Sequence, residues 1–411
     1  MINLVVPDTE DGVEGPWVRA GRATADRAAP VAVLDAGSLA HNVDQLVRRA
    51  GTKSIRVASK SVRSREVLSS VLALPGYAGV LAYTLAEAIW LVRTGVSTDV
   101  VVGYPSTDRG ALSELATDPM LAEAITIMID SPSQLDLVDA VTDNRNRELI
   151  KVCLELDCSL ELGPVHLGAW RSSIRTPARA RAAAAHLEAR TGFRLAGVMG
   201  YEAQVAGVPN RGGGDPASTL RAVAVRGIQQ LSVRDVAARR AAMVAAISEV
   251  TPLDFVNGGG TGSLETTAAE ASVTEVAAGS GLFGPHLFDG YLAFTPRPAA
   301  GFALDVVRRP ARGMVTVAGG GWIASGVPGR DRLPRPVWPE GLTLVGTEMA
   351  GEVQTPLRGR VADALAPGDR VWFRHSKAGE LSEHVNEFMI IEGDAVVQQV
   401  ATYRGEGQAF L

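Results

Sequence analysis

The chain has 411 residues, 46% of them hydrophobic and 21% charged, enough for two or three domains of ~150 residues and a large core. Lys and Arg total 40 against 45 Asp and Glu, a formal net charge of −5. That balance offers no blanket of positive charge, so neither nucleic acid nor a membrane surface is an expected partner.

In chain order, residues 1–19 carry Asp8, Glu10, Asp11 and Glu14 and lack a basic start followed by an apolar run, so no secretory signal is expected. No later segment approaches the ~20 uninterrupted apolar residues that cross a bilayer. An isolated strand is predicted at 31–35. Eight short β-branched apolar runs follow, at 54–60, 79–83, 100–104, 125–130, 151–157, 195–201, 254–258 and 273–278. Between them lie stretches with helical spacing, at 64–73, 85–94, 133–141, 177–191 and 233–250. Eight alternations within about 250 residues fit a closed (β/α)8 barrel, with an open doubly wound sheet as the alternative. Cys153 and Cys158 are too few to staple such a chain and read as reduced thiols of a cytoplasmic protein.

From about residue 295 the texture becomes strand-like, at 304–307, 314–318, 342–346, 370–374, 388–391 and 396–403, with Pro-Gly and Gly-Asp turns. The expected organisation is an α/β chain: a barrel over 36–294 and a β domain over 295–411. Because the strand at 31–35 has no role in the barrel, the segment 1–35 is expected to join that β domain, making it discontinuous.

Chemistry in such barrels sits at the carboxyl ends of the strands. The predicted strands deliver Lys60, Tyr83, Tyr104, Asp130, Asp157, Tyr201, the glycines after Val256, and Gly279 to that end; any one of them alone is an ordinary strand exit. Lysine narrows the choice, because only Lys53, Lys60, Lys151 and Lys377 are lysines and the other 36 basic residues are arginines, which stay protonated and form no imine. Lys53 and Lys151 belong at the amino-terminal rim and Lys377 in the β domain. Only Lys60 closes the first barrel strand, where a dry site can make its amine nucleophilic.

Glycine loops follow the seventh and eighth strands: Asn257-Gly258-Gly259-Gly260-Thr261-Gly262 and Ala278-Gly279-Ser280-Gly281. Loops at those two positions are the recurrent phosphate cradle of these barrels. A cofactor with both an aldehyde and a phosphate is pyridoxal 5′-phosphate.

With these residues in view, the chain resembles the alanine racemase-type (fold type III) pyridoxal phosphate enzymes, in their D-threonine aldolase and D-serine dehydratase branch, and the bacterial amino acid deaminase/aldolase group. The resemblance runs over 31–403 and is carried by Arg56-Val57-Ala58-Ser59-Lys60, Tyr83-Thr84-Leu85-Ala86-Glu87-Ala88, Val102-Gly103-Tyr104-Pro105, Leu154-Glu155-Leu156-Asp157, Gly200-Tyr201-Glu202 and Gly258-Gly259-Gly260-Thr261. It implies that Lys60 is the Schiff-base lysine, that Gly259, Gly260, Thr261, Gly279 and Ser280 hold the phosphate, and that Tyr201 lies beside the cofactor ring. It implies Arg171 as the candidate partner of the pyridine nitrogen, with a surface arginine as the alternative.

Two departures from the branch stand out. Its histidines around the lysine are replaced by Ala58 and Val62, and its metal-binding His-x-Cys or His-x-Asp reads His375-Ser376-Lys377. An ammonium offers no lone pair to a metal, so a divalent Zn or Mn ion is in question. His375 with Glu380, Glu383 or His384 is one other metal set, His375 as a structural or substrate-contacting residue is a second reading, and Lys377 supplying the charge of the metal is a third.

The activity implied is that of a lyase on a β-hydroxy amino acid, expected to be of D configuration, through retro-aldol cleavage or dehydrative deamination, with Lys60, His375 and Lys377 as the catalytic candidates. An amino acid racemase and a non-catalytic pyridoxal phosphate-binding protein are the alternatives. A homodimer is implied by the resemblance alone.

Overall fold

The computed structural model describes residues 1–5, 15–142, 147–213, 215–327, 329–377 and 379–411; Asp8, Glu10, Asp11 and Glu14 lie outside the described residues. By packing, the chain divides into two units, one made of 46–59, 72–279 and 410–411, the other of 1–45, 60–71 and 280–409. The division runs through the helix Ala36–Ala50 and falls just before Lys60 and Ser280.

The first unit is a closed barrel of eight parallel strands: Ser54–Ala58, Tyr77–Ala82, Val100–Val102, Ile125–Ile129, Ile150–Glu155, Phe193–Gly200, Phe255–Gly258 and Glu275–Ala278. The eighth strand closes on the first, Glu275 opposite Ser54 and Ala278 opposite Val57, which excludes the open sheet. Val101, Met128, Cys153 and Met199 fill one layer of the interior, with Leu81, Tyr201 and Phe255 packed against them. Both cysteines are free and buried; burial raises the Cys153 thiol well above its usual value and pushes Cys158 up to about 11. A buried ion pair ties the closing strands together, since Arg56 donates to Glu275 at 2.7 and 2.9 Å and Asn257 donates to the same carboxylate at 2.8 Å.

Local signals set the helices. Leu85–Arg93 starts at Thr84, whose hydroxyl accepts from the Glu87 N–H, while the Glu87 carboxylate accepts from the Tyr83 N–H. Pro216–Ser248 is capped by Asp215 with proline in its first turn, and it is far longer than the expected 233–250. Its front half hides from a periodicity reading because Leu220, Val223 and Leu231 are exposed while Gln229 and Ser232 are buried.

The second unit is built on a sheet of nine strands among the described residues. Val31–Asp35, every residue buried, lies between Ala300–Ala311, antiparallel to it, and Glu387–Glu392, parallel to it. The sheet is therefore discontinuous in sequence, as expected. Met314–Ala318 and Arg370–Arg374 also pair with Ala300–Ala311, and Ala395–Ala401 pairs with Glu387–Glu392. Arg335–Trp338 and Gln354–Arg358 are strands that the sequence reading missed. Each holds a proline, at 336 and 356, and proline demotes a run in any pattern reading. The core gathers Ala20, Val31, Val33, Ala303, Trp372, Met389 and Ile391, and Trp17 stacks on Trp372 at 5.9 Å.

Candidate active site

Because all eight barrel strands are parallel, the segments that leave their carboxyl ends emerge at one end of the barrel. Within the barrel unit this end carries a contiguous set. The Arg171 guanidinium lies 5.1 Å from the Tyr104 ring centroid and 5.2 Å from that of Tyr201, and 3.4 Å from the Glu155 carboxylate. Exits of the third, fifth and sixth strands thus meet on one cation, so Arg171 is no lone surface arginine. Burial raises the Glu155 carboxyl, with Arg171 opposing it. Burial, helped by the neighbouring Glu202 charge, pushes the Tyr201 phenol up to about 12.

The glycine loop comes next to Tyr201. A Cβ on Gly260 would lie 3.1 Å from the Tyr201 ring and 3.3 Å from the Ala206 methyl, and Gly259 has φ +81°, so the loop is a close backbone cradle that a side chain would fill. Its backbone is pinned from behind. The Gly259 N–H is directed to Glu202 at 3.4 Å, the Gly260 N–H donates to the Ser263 hydroxyl at 3.2 Å, and Arg49 donates to the Thr261 carbonyl at 2.6 Å. Gly279 directly follows the eighth strand and leads into Ser280.

In the other unit, Lys60 sits in a 3-10 turn, Ser59–Ser61, that continues the first barrel strand by chain connectivity. The stretch carrying Lys377 packs on this turn. Gly379 abuts the Lys60 carbonyl, Ser382 donates to the Val62 carbonyl at 2.8 Å, Arg63 donates to the Lys60 carbonyl at 3.0 Å, and Arg63 pairs with Glu383. The two candidate lysines are therefore carried by segments that touch.

His375 is 2% exposed, edge-on to Phe283 at 6.4 Å, and burial followed by the Arg374 charge presses its pKa down to about 3. The side chains expected to complete a metal set with it make other contacts: one Glu380 oxygen accepts from the Lys377 N–H, Glu383 meets Arg63, and His384 stacks on Trp322 at 5.0 Å. No group of three His, Cys, Asp or Glu side chains among the described residues is arranged to hold a metal ion. Among the described residues, His375 therefore has no two further ligands arranged beside it for a divalent cation.

Sequence reasoning missed Glu202, Arg240, Ser263, Thr267 and Arg49. Glu202 was visible only as part of a motif, and Arg240 lies in a helix whose buried face is partly polar.

A barrel of this topology with a glycine cradle after its seventh strand defines a class, and comparison gives the family. Residues 34–286 match the model described as alanine racemase, N-terminal domain, and the chain belongs to that family. Among solved structures it is similar to D-threonine aldolase from Filomicrobium marinum, at 19% identity and a TM-score of 0.76, over 94% of this chain and 97% of that one. It is also similar to D-threo-3-hydroxyaspartate dehydratase from Delftia sp. HT23, at 19% identity and a TM-score of 0.70, over 91% and 97% of the two chains. An alanine racemase of Clostridium difficile 630 aligns at 12% identity with a TM-score of 0.57, over 91% and 98%. No curated protein sequence matches. No helix among the described residues is long and apolar enough to cross a membrane.

Proposed function

We propose that this chain is a pyridoxal 5′-phosphate-dependent lyase acting on a β-hydroxy amino acid of D configuration. The observation that carries the reading is the packing of the Lys377 stretch on the turn of Lys60, a lysine that leaves a barrel strand at the end where the glycine loops also emerge. The greater likeness to aldolase and dehydratase folds than to an alanine racemase fold supports a lyase over a racemase.

In this reading Lys60 holds the aldehyde carbon, the loops at 259–261 and 279–280 hold the phosphate, and Arg171 with Tyr201 lines the ring. When bound, the cofactor supplies an electron sink at the substrate Cα. The residues of the chain do the rest. Once the substrate amine has displaced it from the aldehyde carbon, the freed Lys60 Nζ takes the Cα proton in dehydration, where the β-hydroxyl leaves as water and a keto acid and ammonia follow on hydrolysis. In retro-aldol cleavage the β-hydroxyl gives its proton to water, the Cα–Cβ bond breaks, Cα takes a proton from the Lys60 Nζ, and glycine and an aldehyde follow. The hydroxyl partner comes from the 375–377 stretch. His375 is neutral and enclosed against Phe283, which favours the Lys377 ammonium as the group that polarises the hydroxyl oxygen, in the role a metal would otherwise take. We further propose a homodimer, supported by the exposed Leu220, Val223 and Leu231 on one helix, and a cytoplasmic location, supported by two buried free thiols.

The test is to titrate the purified protein with pyridoxal 5′-phosphate, follow the visible absorbance, trap the adduct with borohydride and locate it by mass spectrometry, with Lys60→Ala as the control. D-threonine and D-threo-3-hydroxyaspartate are then supplied. Glycine with acetaldehyde, or keto acid with ammonia, is the expected product. Labelling elsewhere than Lys60, or recovery of the amino acid with only its configuration changed, overturns the lyase reading. One bound equivalent of Zn or Mn overturns the part given to Lys377.

A further inference from the structure

Behind the glycine loop lies a buried ion pair that the chemistry above does not use. Glu202, 3% exposed, follows Tyr201 at the exit of the sixth barrel strand. One carboxylate oxygen accepts from the Ser263 hydroxyl at 2.8 Å and from the Thr267 hydroxyl. The other accepts from the Gly259 N–H at 3.4 Å and from Arg240 at 2.7 Å. Arg240, fully buried in the helix Pro216–Ser248, also donates to the Gly200 carbonyl at 3.1 Å and to Glu270 at 2.6 Å. Apart from its arginine, Glu202 takes these donors from the loop and the first turns behind it.

This arrangement is odd for an anion site. A carboxylate at the back of a loop that receives a phosphate repels it, and burying the carboxylate costs several kcal/mol unless it is paired. Arg240 is shared between Glu202 and Glu270, so the cluster pairs the carboxylate but contributes no attraction for an anion. What remains is geometry, because a paired carboxylate that collects three further donors fixes the loop's shape before any ligand arrives. The approach is close: a Cβ on Gly258 would lie 3.2 Å from the Arg240 guanidinium and 3.0 Å from the Thr267 methyl. On the outer side, Arg49 grips the Thr261 carbonyl and Glu265.

We infer that Glu202 and Arg240 are positioning residues: a strut that holds the glycine loop in anion-binding shape and so makes the barrel prefer the phosphorylated aldehyde to its unphosphorylated counterpart. The inference rests on the cofactor reading above and deepens it.

The full-length protein and its Thr267→Val, Thr267→Ser, Ser263→Ala, Glu202→Gln and Arg240→Met variants are titrated separately with pyridoxal 5′-phosphate and with pyridoxal. Bound compound is read by absorbance, and thermal unfolding is recorded for each protein without ligand. Thr267→Val is the decisive variant, since it removes one hydroxyl and keeps the shape. Losing one hydrogen bond to a carboxylate is expected to weaken pyridoxal 5′-phosphate binding about three- to tenfold. Binding of pyridoxal is expected to be unchanged, Thr267→Ser to restore the preference, and Glu202→Gln or Arg240→Met, where folded, to lose more of it. If Thr267→Val and Ser263→Ala lower the melting temperature but leave the preference intact, the pair is merely structural and the inference fails. A wild type that binds both compounds equally well through Lys60 overturns the strut alone. A wild type that binds neither overturns the cofactor reading and the strut with it.

Discussion

Gly379 stands directly against the main chain of Lys60: a Cβ built on it would meet the Lys60 carbonyl oxygen at 2.2 Å, and its φ is +77°. Both the space and the backbone conformation therefore demand glycine. Gly379→Ala is expected to force the 377–384 stretch off the Lys60 turn. Stability should fall by about 1–3 kcal/mol, read by urea unfolding, as expected for an incompatible backbone site. The loss of absorbance of bound pyridoxal 5′-phosphate should exceed that of a surface Gly→Ala control at Gly227, which has open space around it.

Arg171 touches two rings and one carboxylate, and a lysine cannot copy that planar contact. Arg171→Lys is expected to weaken cofactor binding by about tenfold, and Arg171→Met by more, in an absorbance titration. Equal affinities in all three proteins would return Arg171 to a surface role.

Two buried histidines make stability depend on pH. His375 is pressed down to about 3 and His286 to about 4, in both cases first by burial. The unfolded chain protonates its histidines below about 6.5, whereas the folded chain leaves these two neutral until far lower pH. Their contribution is therefore complete above about 6.5 and is lost progressively as pH falls toward about 4. Thermal melts across that window should show His375→Gln with a shallower decline than the parent.

Arg56 is 3% exposed and joins the first barrel strand to Glu275 on the eighth. Removing one partner strands the other charge. Arg56→Met is expected to cost about 3–5 kcal/mol in chemical denaturation, the usual penalty for breaking a buried pair. A cost near zero would mean that Asn257 alone satisfies Glu275.

Much of this architecture was legible because barrel strands are buried on both faces and read as unbroken apolar runs: Val100–Val102 and Ile125–Ile129 are almost pure β-branched sequence. The strand at 31–35 was assignable to the distant sheet by exclusion, having no place in the eightfold alternation. The site was harder. Lysine scarcity singled out Lys60, and glycine runs marked the loops, since both signals lie in the residue types themselves. Glu202 and Arg240 escaped because an ion pair between residues 38 apart has no local periodicity to announce it. Arg171 reaches its partners only after the hairpin of Leu160–Leu162 and Val165–Leu167 has turned the chain back, a path that spacing does not encode.

The place of Val31–Asp35 between Ala300–Ala311 and Glu387–Glu392 has a consequence for biosynthesis. On the ribosome all eight barrel strands are made before either neighbour of that early strand, so five buried positions, four of them apolar, must wait through some hundreds of codons. The N-terminus is thus the last part to find its place, and chaperone dependence or aggregation of nascent chains should trace to this orphaned segment before any other.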